Sequence, residues 1–222
     1  MSEALGPGDH TRLRRAPEKA LYDADTVHAI LDEAIFCHVA AVVDGLAMTL
    51  PTLHSREGST IYVHASKSNA LLRAALAEGR VSLTATIYDG LRLARSGFES
   101  SIAYRSVVVV GPIREVSDPV HKRRVLEGFV DAVLAGRGSE VRAMSEREAN
   151  LTLVAAIDIA EASAKVSEGP THDEPEDAAL AIWAGTVPAR LVYGEPVASG
   201  DGAMADGTIP LPASVRRLVG ER

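Results

Sequence analysis

At 222 residues, 46% hydrophobic and 24% charged, the chain is long enough to bury a substantial core and has the balance of an ordinary globular protein. Its net charge of -7 argues against broad nucleic-acid binding, which needs a basic face to displace counterions. The single cysteine, Cys37, excludes an internal disulfide and a cysteine-based zinc cluster, and in the apolar run Ala34 to Val43 it reads as a buried small hydrophobe. No apolar stretch reaches the length of a membrane span and Met1 to His10 lacks a signal-peptide core, so a cytoplasmic protein without membrane contact is expected.

Residues 1–20 mix Gly, Pro and charge without periodicity, which predicts a flexible or draped arm. Asp23-Ala24-Asp25-Thr26 opens a helix whose apolar face is Val27, Ile30, Leu31 and Ala34. Ile35 to Val43 is predicted as a strand, Asp44-Gly45 as a two-residue hairpin and Leu46 to Leu53 as the return strand. A turn at Arg56-Glu57-Gly58 leads to a third strand, Thr60 to His64, then to a helix from Ser66 to Glu78 closed by Gly79. Arg80 to Tyr88 alternates as a fourth strand, residues 89–101 read as an irregular excursion, and Ile102 to Val110 is strongly β-branched. Gly111-Pro112 interrupts that strand before Ile113 to Val116.

Asp118-Pro119 starts a further helix with Val125, Leu126, Phe129, Val130 and Val133 on its core stripe. Ser145 to Asn150 reads as a helical turn, Leu151 to Ile159 as the last clear strand, and Glu161 to Val166 as helical. An acidic, proline-bearing linker at Glu168 to Asp177 precedes Trp183 to Pro196, which returns apolar residues to the body. The irregular order of strands and helices predicts a mainly β protein with some α, a closed barrel with peripheral helices, in one domain.

Among residues able to carry chemistry, the strand-to-helix corner comes first. A helix N-terminus attracts anions, and Ser66, Lys67 and Ser68 add two hydroxyls and a cation, with Arg73 further along the helix. On local sequence alone, Ser66 as a plain helix cap is the leading reading. Tyr104-Arg105-Ser106 opens the β-branched strand, where an arginine fork suits a phosphate or carbonyl oxygen. Trp183, the only tryptophan, reads as a ring-stacking wall or as ordinary core. His38, His54 and His64 fall on successive predicted strands but lack metal-ligand spacing, so no metal site is expected. No catalytic acid or base is identifiable.

The order of these pieces is more specific than any one of them. Tyr22-Asp23 through Ile30-Leu31-Asp32-Glu33-Ala34, Cys37-His38-Val39, Pro51-Thr52-Leu53, Ile61-Tyr62-Val63-His64, Asp89-Gly90-Leu91 with Leu93-Ala94-Arg95-Ser96, Tyr104-Arg105-Ser106-Val107-Val108, Ala162-Ser163-Ala164-Lys165-Val166 and Trp183-Ala184-Gly185 together resemble the flavin-nucleotide-binding branch of the pyridoxamine-phosphate oxidase-like split-barrel family, which is related to nitroimidazole-resistance reductases. The resemblance spans residues 21–197, leaving an arm of residues 1–20 and a tail of residues 198–222.

The resemblance implies a six-stranded, Greek-key-like split β-barrel with peripheral helices. It also implies a homodimer with flavin mononucleotide (FMN) at each inter-subunit cleft and a small-molecule substrate. Met48, Thr49, Leu50, Pro51 and Thr52 would lie along the isoalloxazine edge, and His64, Ala65, Ser66, Lys67, Ser68 and Asn69 at the ribityl phosphate. Tyr104, Arg105 and Ser106 would border the flavin, with Trp183 closing the cleft. The expected function is a flavin-dependent oxidoreductase; a flavin carrier or sensor without turnover is the alternative, and haem or a deazaflavin are alternative ligands. Two departures stand out: Glu99-Ser100-Ser101 replace the histidines usual before Tyr-Arg-Ser, and Lys67-Ser68-Asn69 stand near the oxidase's Ser-Arg-Lys triplet, so pyridoxamine-phosphate oxidation is not implied.

Overall fold

Asp44 and Gly45 both take positive φ (50° and 78°), the conformation a tight two-residue turn demands, and they fold β2 (Cys37–Val43) back on β3 (Leu46–Thr52). The computed structural model describes residues 4–199 and 209–220. After β1 (Ala20–Leu21) and α1 (Ala24–Glu33) come this hairpin, β4 (His54–Glu57), β5 (Thr60–Ser66) and α2 (Ala70–Glu78). The long pair β6 (Arg80–Leu93) and β7 (Ser101–Glu115) follows, then α3 (Pro119–Val133), α4 (Glu146–Leu151), β8 (Thr152–Asp158) and β9 (Glu161–Ser167). β10 (Gly185–Pro188) and α5 (Ala213–Leu218) complete the described chain.

The described strands form one antiparallel sheet of ten, running β3-β2-β6-β7-β8-β5-β4, with β9 on β7, β1 on β9 and β10 on β6. It has free ends at β3 and β4, so the barrel is split rather than closed, and it has more strands than the six expected. The split is made by β7. One edge of β7 pairs with β6 almost throughout, while the other pairs with β9 over Tyr104–Val110 and with β8 over Ile113–Glu115.

Alternation along the strands sorts side chains into two cores. Ile61 and Val63 of β5 join Cys37, Val39, Leu83, Val107, Val109, Leu153 and Ile157 in the main core. That core is filled by Val27, Ile30 and Leu31 of α1 and by Leu71, Leu72 and Ala75 of α2. Tyr62, Val154 and Ala156 face the other way, against Val125, Leu126 and Phe129 of α3. Cys37 is fully buried and burial pushes its thiol pKa up to about 12, so it behaves as the hydrophobe expected.

Helix starts follow side-chain caps. Asp23 accepts from the Thr26 N–H at 2.8 Å and Asp118 from the His121 N–H at 2.7 Å, with Pro119 in the first turn. Ser145 and Glu148 form a reciprocal capping box. α2 begins later than expected: Asn69, not Ser66, is its cap, accepting from the Leu72 N–H at 2.9 Å.

Other expectations are corrected too. Arg56 and Glu57 belong to strand β4 rather than a turn. Strand β6 runs through a bulge between Tyr88 and Gly90 as far as Leu93, so the irregular excursion is shorter than 89–101. Glu161 to Ser167 is a strand, not a helix, because Ala162 and Ala164 are fully buried between β7 and β1, and pairing overrides alanine's helical preference. The N-terminal arm is draped: the Leu5 N–H donates to the Tyr22 carbonyl at 2.8 Å, the Ala162 N–H donates to the Leu5 carbonyl at 3.0 Å, and Thr11 is buried. Expectations for residues 1–3, 200–208 and 221–222 lie outside the described residues.

At the point where β7 changes neighbour, a Cβ on Gly111 would stand 1.8 Å from the Asp158 carbonyl oxygen, so only glycine lets the end of β8 approach. Gly111→Ala is expected to lower stability by about 1–3 kcal/mol or more, read as a lower urea midpoint, because backbone rather than a flexible side chain must move.

Candidate functional site

The corner between β5 and α2 is built by backbone closure. The Lys67 N–H donates to the Leu151 carbonyl at 3.2 Å and the Asn69 N–H to the Ser66 carbonyl at 3.0 Å, folding the chain into a tight turn. The Ser66 and Ser68 hydroxyls meet at 3.2 Å on its exposed side. Arg73 reaches back from the helix and donates through Nε to the Lys67 carbonyl. The Lys67 side chain is exposed, and Lys122 in the first turns of α3 lies near enough for the two ammonium groups to repel. Partial burial, reinforced by Lys67 and opposed by Glu115, pushes the Lys122 pKa below its usual value. Among the described residues neither lysine forms an ion pair. The corner therefore presents two hydroxyls and the Lys67 ammonium, with Lys122 of α3 nearby.

His64 projects from β5 on the α3 side, its ring centroid 4.4 Å from that of Phe129 at 71°. Its Nδ1 is buried without a partner, and burial lowers its pKa, favouring neutral imidazole. The three strand histidines do not converge. His54 packs inward with Nε2 2.7 Å from the Leu31 carbonyl, whereas His38 meets the Phe36 ring. Among the described residues no group of three or more His, Cys, Asp or Glu is placed to hold a metal ion. Ala65 packs against the main core rather than into the corner.

Met48 to Thr52 lie on β3, most of them exposed, with Leu50 opposite Val39 and Thr52 opposite Cys37. Helix α2 packs against both β2 and β3 and so ties this strand to the corner.

Tyr104, Arg105 and Ser106 stand elsewhere. They open β7, whose far end, Glu115, runs beside β8 near the corner. The ten residues from Ser106 to Glu115 correspond to about 30 Å of strand. Arg105 is clamped by two carboxylates, with hydrogen bonds of 2.5 and 2.7 Å to Glu33 and 2.8 and 3.0 Å to Asp89. The Arg105 bonds hold the Glu33 carboxyl below the usual range. Lys165 Nζ lies 5.6 Å from the Tyr104 ring centroid. Trp183 is 66% exposed beside Gly185, where β10 pairs with the distal part of β6. Within one chain, then, the expected site residues form two separate groups.

Lys122 escaped the sequence reading. Its signal was the run Lys122-Arg123-Arg124 in the first two turns of a helix, where the dipole disfavours cations.

The sequence profile described as pyridoxamine 5'-phosphate oxidase matches residues 23–166, and the chain belongs to that family. The flavocytochrome Anf3 from Azotobacter vinelandii is 34% identical over 95% of this chain and 97% of its own, with a TM-score of 0.88. The FAD and haem binding protein from Mycobacterium smegmatis is 36% identical over 90% and 97%, with a TM-score of 0.83. A Bacteroides thetaiotaomicron protein named for 5-nitroimidazole antibiotic resistance shares the fold at 18% identity, covering 66% of this chain and 86% of its own with a TM-score of 0.57. No curated protein matches the chain.

Proposed function

We propose that this protein is a homodimeric flavin-binding oxidoreductase acting on a small molecule, with the flavin phosphate held at the β5–α2 corner. The observation that carries this reading is the pairing of unneutralised Lys67 with the Ser66 and Ser68 hydroxyls on the family's fold. Similarity over nearly the whole chain to a flavocytochrome and to an FAD and haem binding protein supports it. When bound, the flavin supplies hydride or electron transfer. The chain's share is to bind and orient: Lys67 and the serines take the phosphate, and β3 from Met48 to Thr52 offers backbone groups along the ring edge. Lys67→Ala is expected to weaken binding of added FMN about tenfold or more, the worth of one charge-assisted contact, measured by quenching of flavin fluorescence. Wild-type protein that takes up no flavin would sink the reading. Flavin bound but never reduced by nicotinamide donors would point to a carrier or sensor, and the absorbance of the co-purified chromophore separates flavin from deazaflavin.

Two observations support the homodimer: the two separated groups and an open sheet face. Ala40, Ser82, Thr84, Val108 and Val110 point away from the main core and stay partly exposed; all but Thr84 border a concavity of about 720 Å³. The neighbouring edge strand also leaves Leu46, Met48 and Leu50 exposed. A second copy laid on this face would cover apolar surface that a monomer leaves in water. Sedimentation is expected to give twice the 23.4 kDa of one chain, and Ala40→Arg to give monomers with impaired flavin binding.

Haem is a second ligand, favoured by the buried, unpartnered Nδ1 of His64 and by the similarity to the FAD and haem binding protein from Mycobacterium smegmatis. A neutral imidazole nitrogen is the donor that haem iron takes. Addition of haem is expected to produce a Soret band that His64→Ala abolishes; an unchanged band in the variant rules His64 out as the ligand.

A further inference from the structure

We infer that the outer face of β6, β7 and β9 around Tyr104 binds a small planar carboxylate, with Lys165 holding the carboxylate and the hollow beside Thr86 and Tyr88 holding the ring. The inference does not depend on where the flavin sits.

Strand register places the residues. Thr86 lies opposite Ser106 and Ser106 opposite Lys165, so one row across three neighbouring strands carries two hydroxyls and an ammonium. In the next row Tyr88 lies opposite Tyr104. Side chains directly opposite one another have Cβ atoms about 4.5–5.5 Å apart. These residues alternate with the buried Ala85, Val107 and Ala164, so both rows face away from the main core, and all five stay at least partly exposed. The Lys165 side chain leans toward the tyrosine row, with Nζ 5.6 Å from the Tyr104 ring centroid.

The far edge of β6 is open beside these rows. β2 pairs with β6 only as far as Ala85, and β10 pairs from Gly90 onward, so Thr86 to Asp89 have no strand neighbour there among the described residues. A concavity of about 610 Å³ occupies this place, lined by Phe36 just before β2, Thr86 and Tyr88 of β6, and Leu191 of the tail. That size lies within the range of about 300–1,000 Å³ typical of small-molecule sites. The tail is fixed beside it, the Ala189 N–H donating to the Asp89 carbonyl at 2.9 Å.

Charge selects the ligand. Lys165 forms no ion pair among the described residues. In the concavity, Glu33 and Asp89 are spent on Arg105, and Arg190, which forms no ion pair among the described residues, offsets their remaining charge. One free ammonium with two hydroxyls suits a single negative charge, whereas the second charge of a phosphate monoester would go unmet. The aromatic side chains of Phe36, Tyr88 and Tyr104 suit a flat ring. Two strand spacings, about 10 Å, separate β6 from β9, and the lysine side chain covers part of that span, so a ring at Thr86 can carry a carboxylate to Nζ.

The test is calorimetric titration of the full-length protein with 2-naphthoate, its neutral analogue 2-naphthamide and 2-naphthyl phosphate, for wild type, Lys165→Met and Thr86→Phe. Expected is wild-type affinity for the carboxylate at least tenfold above that for the amide and above that for the phosphate. Lys165→Met should lose about tenfold for the carboxylate and less than twofold for the amide, so the amide shows that the variant is folded. Thr86→Phe, which fills the hollow, should weaken both about tenfold. Equal wild-type affinity for carboxylate and amide, or no binding of either, overturns the inference. So does tighter binding of the phosphate, or a carboxylate affinity that neither variant changes. Sedimentation of Lys165→Met as a monomer where the wild type is a dimer also overturns it, because Lys165 then pairs with a carboxylate of the second copy.

Discussion

The fold depends on how one strand, β7, divides its edges. Along one edge it pairs with β6 from Ser101 to Pro112, and along the other it serves β9 first and β8 afterwards. An antiparallel ladder cannot have two strands in the same place, so the change of partner needs a point where the end of β8 passes close to β7. Gly111 is that point. The consequence is a sheet that curls but stays open, with α1 and α2 filling its concave side and α3 covering the back of β5 and β8. The same arrangement sends the two ends of β7 to opposite parts of the molecule, one beside the corner and the other at Tyr104 to Ser106.

Electrostatics then separates structure from site. Arg56, Arg80, Arg95, Arg105, Arg114, Arg124 and Arg142 each have a carboxylate within salt-bridge distance. Exposed pairs of this kind are worth about 0–1 kcal/mol each, so they orient loops and strand ends more than they stabilise the whole. Arg105 shows the cost of reading residue types alone: its fork suits a phosphate, but Glu33 and Asp89 already fill it. Lys67 and Lys122 are the contrasting case. Their charges meet no carboxylate oxygen at salt-bridge range among the described residues, which leaves them available for the phosphate contact proposed at the corner.

Much of this was legible in the residues because it is local. Asp23, Asp118 and Gly45 specify helix starts and a turn within a few residues of themselves, and the alternation in β6 marks its buried face. What escaped depends on distant partners. Glu161 to Ser167 has a composition that suits either helix or strand, and only the slot between β7 and β1 decides it. The strand beyond Tyr88 is held by β10, nearly a hundred residues away in the chain, so nothing near Asp89-Gly90 announces it. Ser66 and Asn69 are both good caps, and the register of β5 on β8, with Ser66 opposite Thr152, keeps Ser66 in the sheet and leaves the role to Asn69. The corner was found from its serines and lysine, but Lys122 belongs to a helix fifty residues later and joins it only through the packing of α3 on β5.

The separation of the two candidate groups bears on how chemistry could evolve on this scaffold. A phosphate site at a β-to-α corner needs only the corner itself and its cations, so it tolerates change at the other end of β7. The Tyr104 end carries the clamp on Arg105, the exposed Trp183 and the pairing of β10, and about 30 Å of strand separates it from the Glu115 end of β7. In the proposed dimer the small side chains of Ala40, Ser82 and Thr84 would let two sheets approach. Cofactor anchoring and substrate choice would then sit on different chains and vary independently, so membership of the pyridoxamine 5'-phosphate oxidase family carries the fold but not the oxidase's substrate.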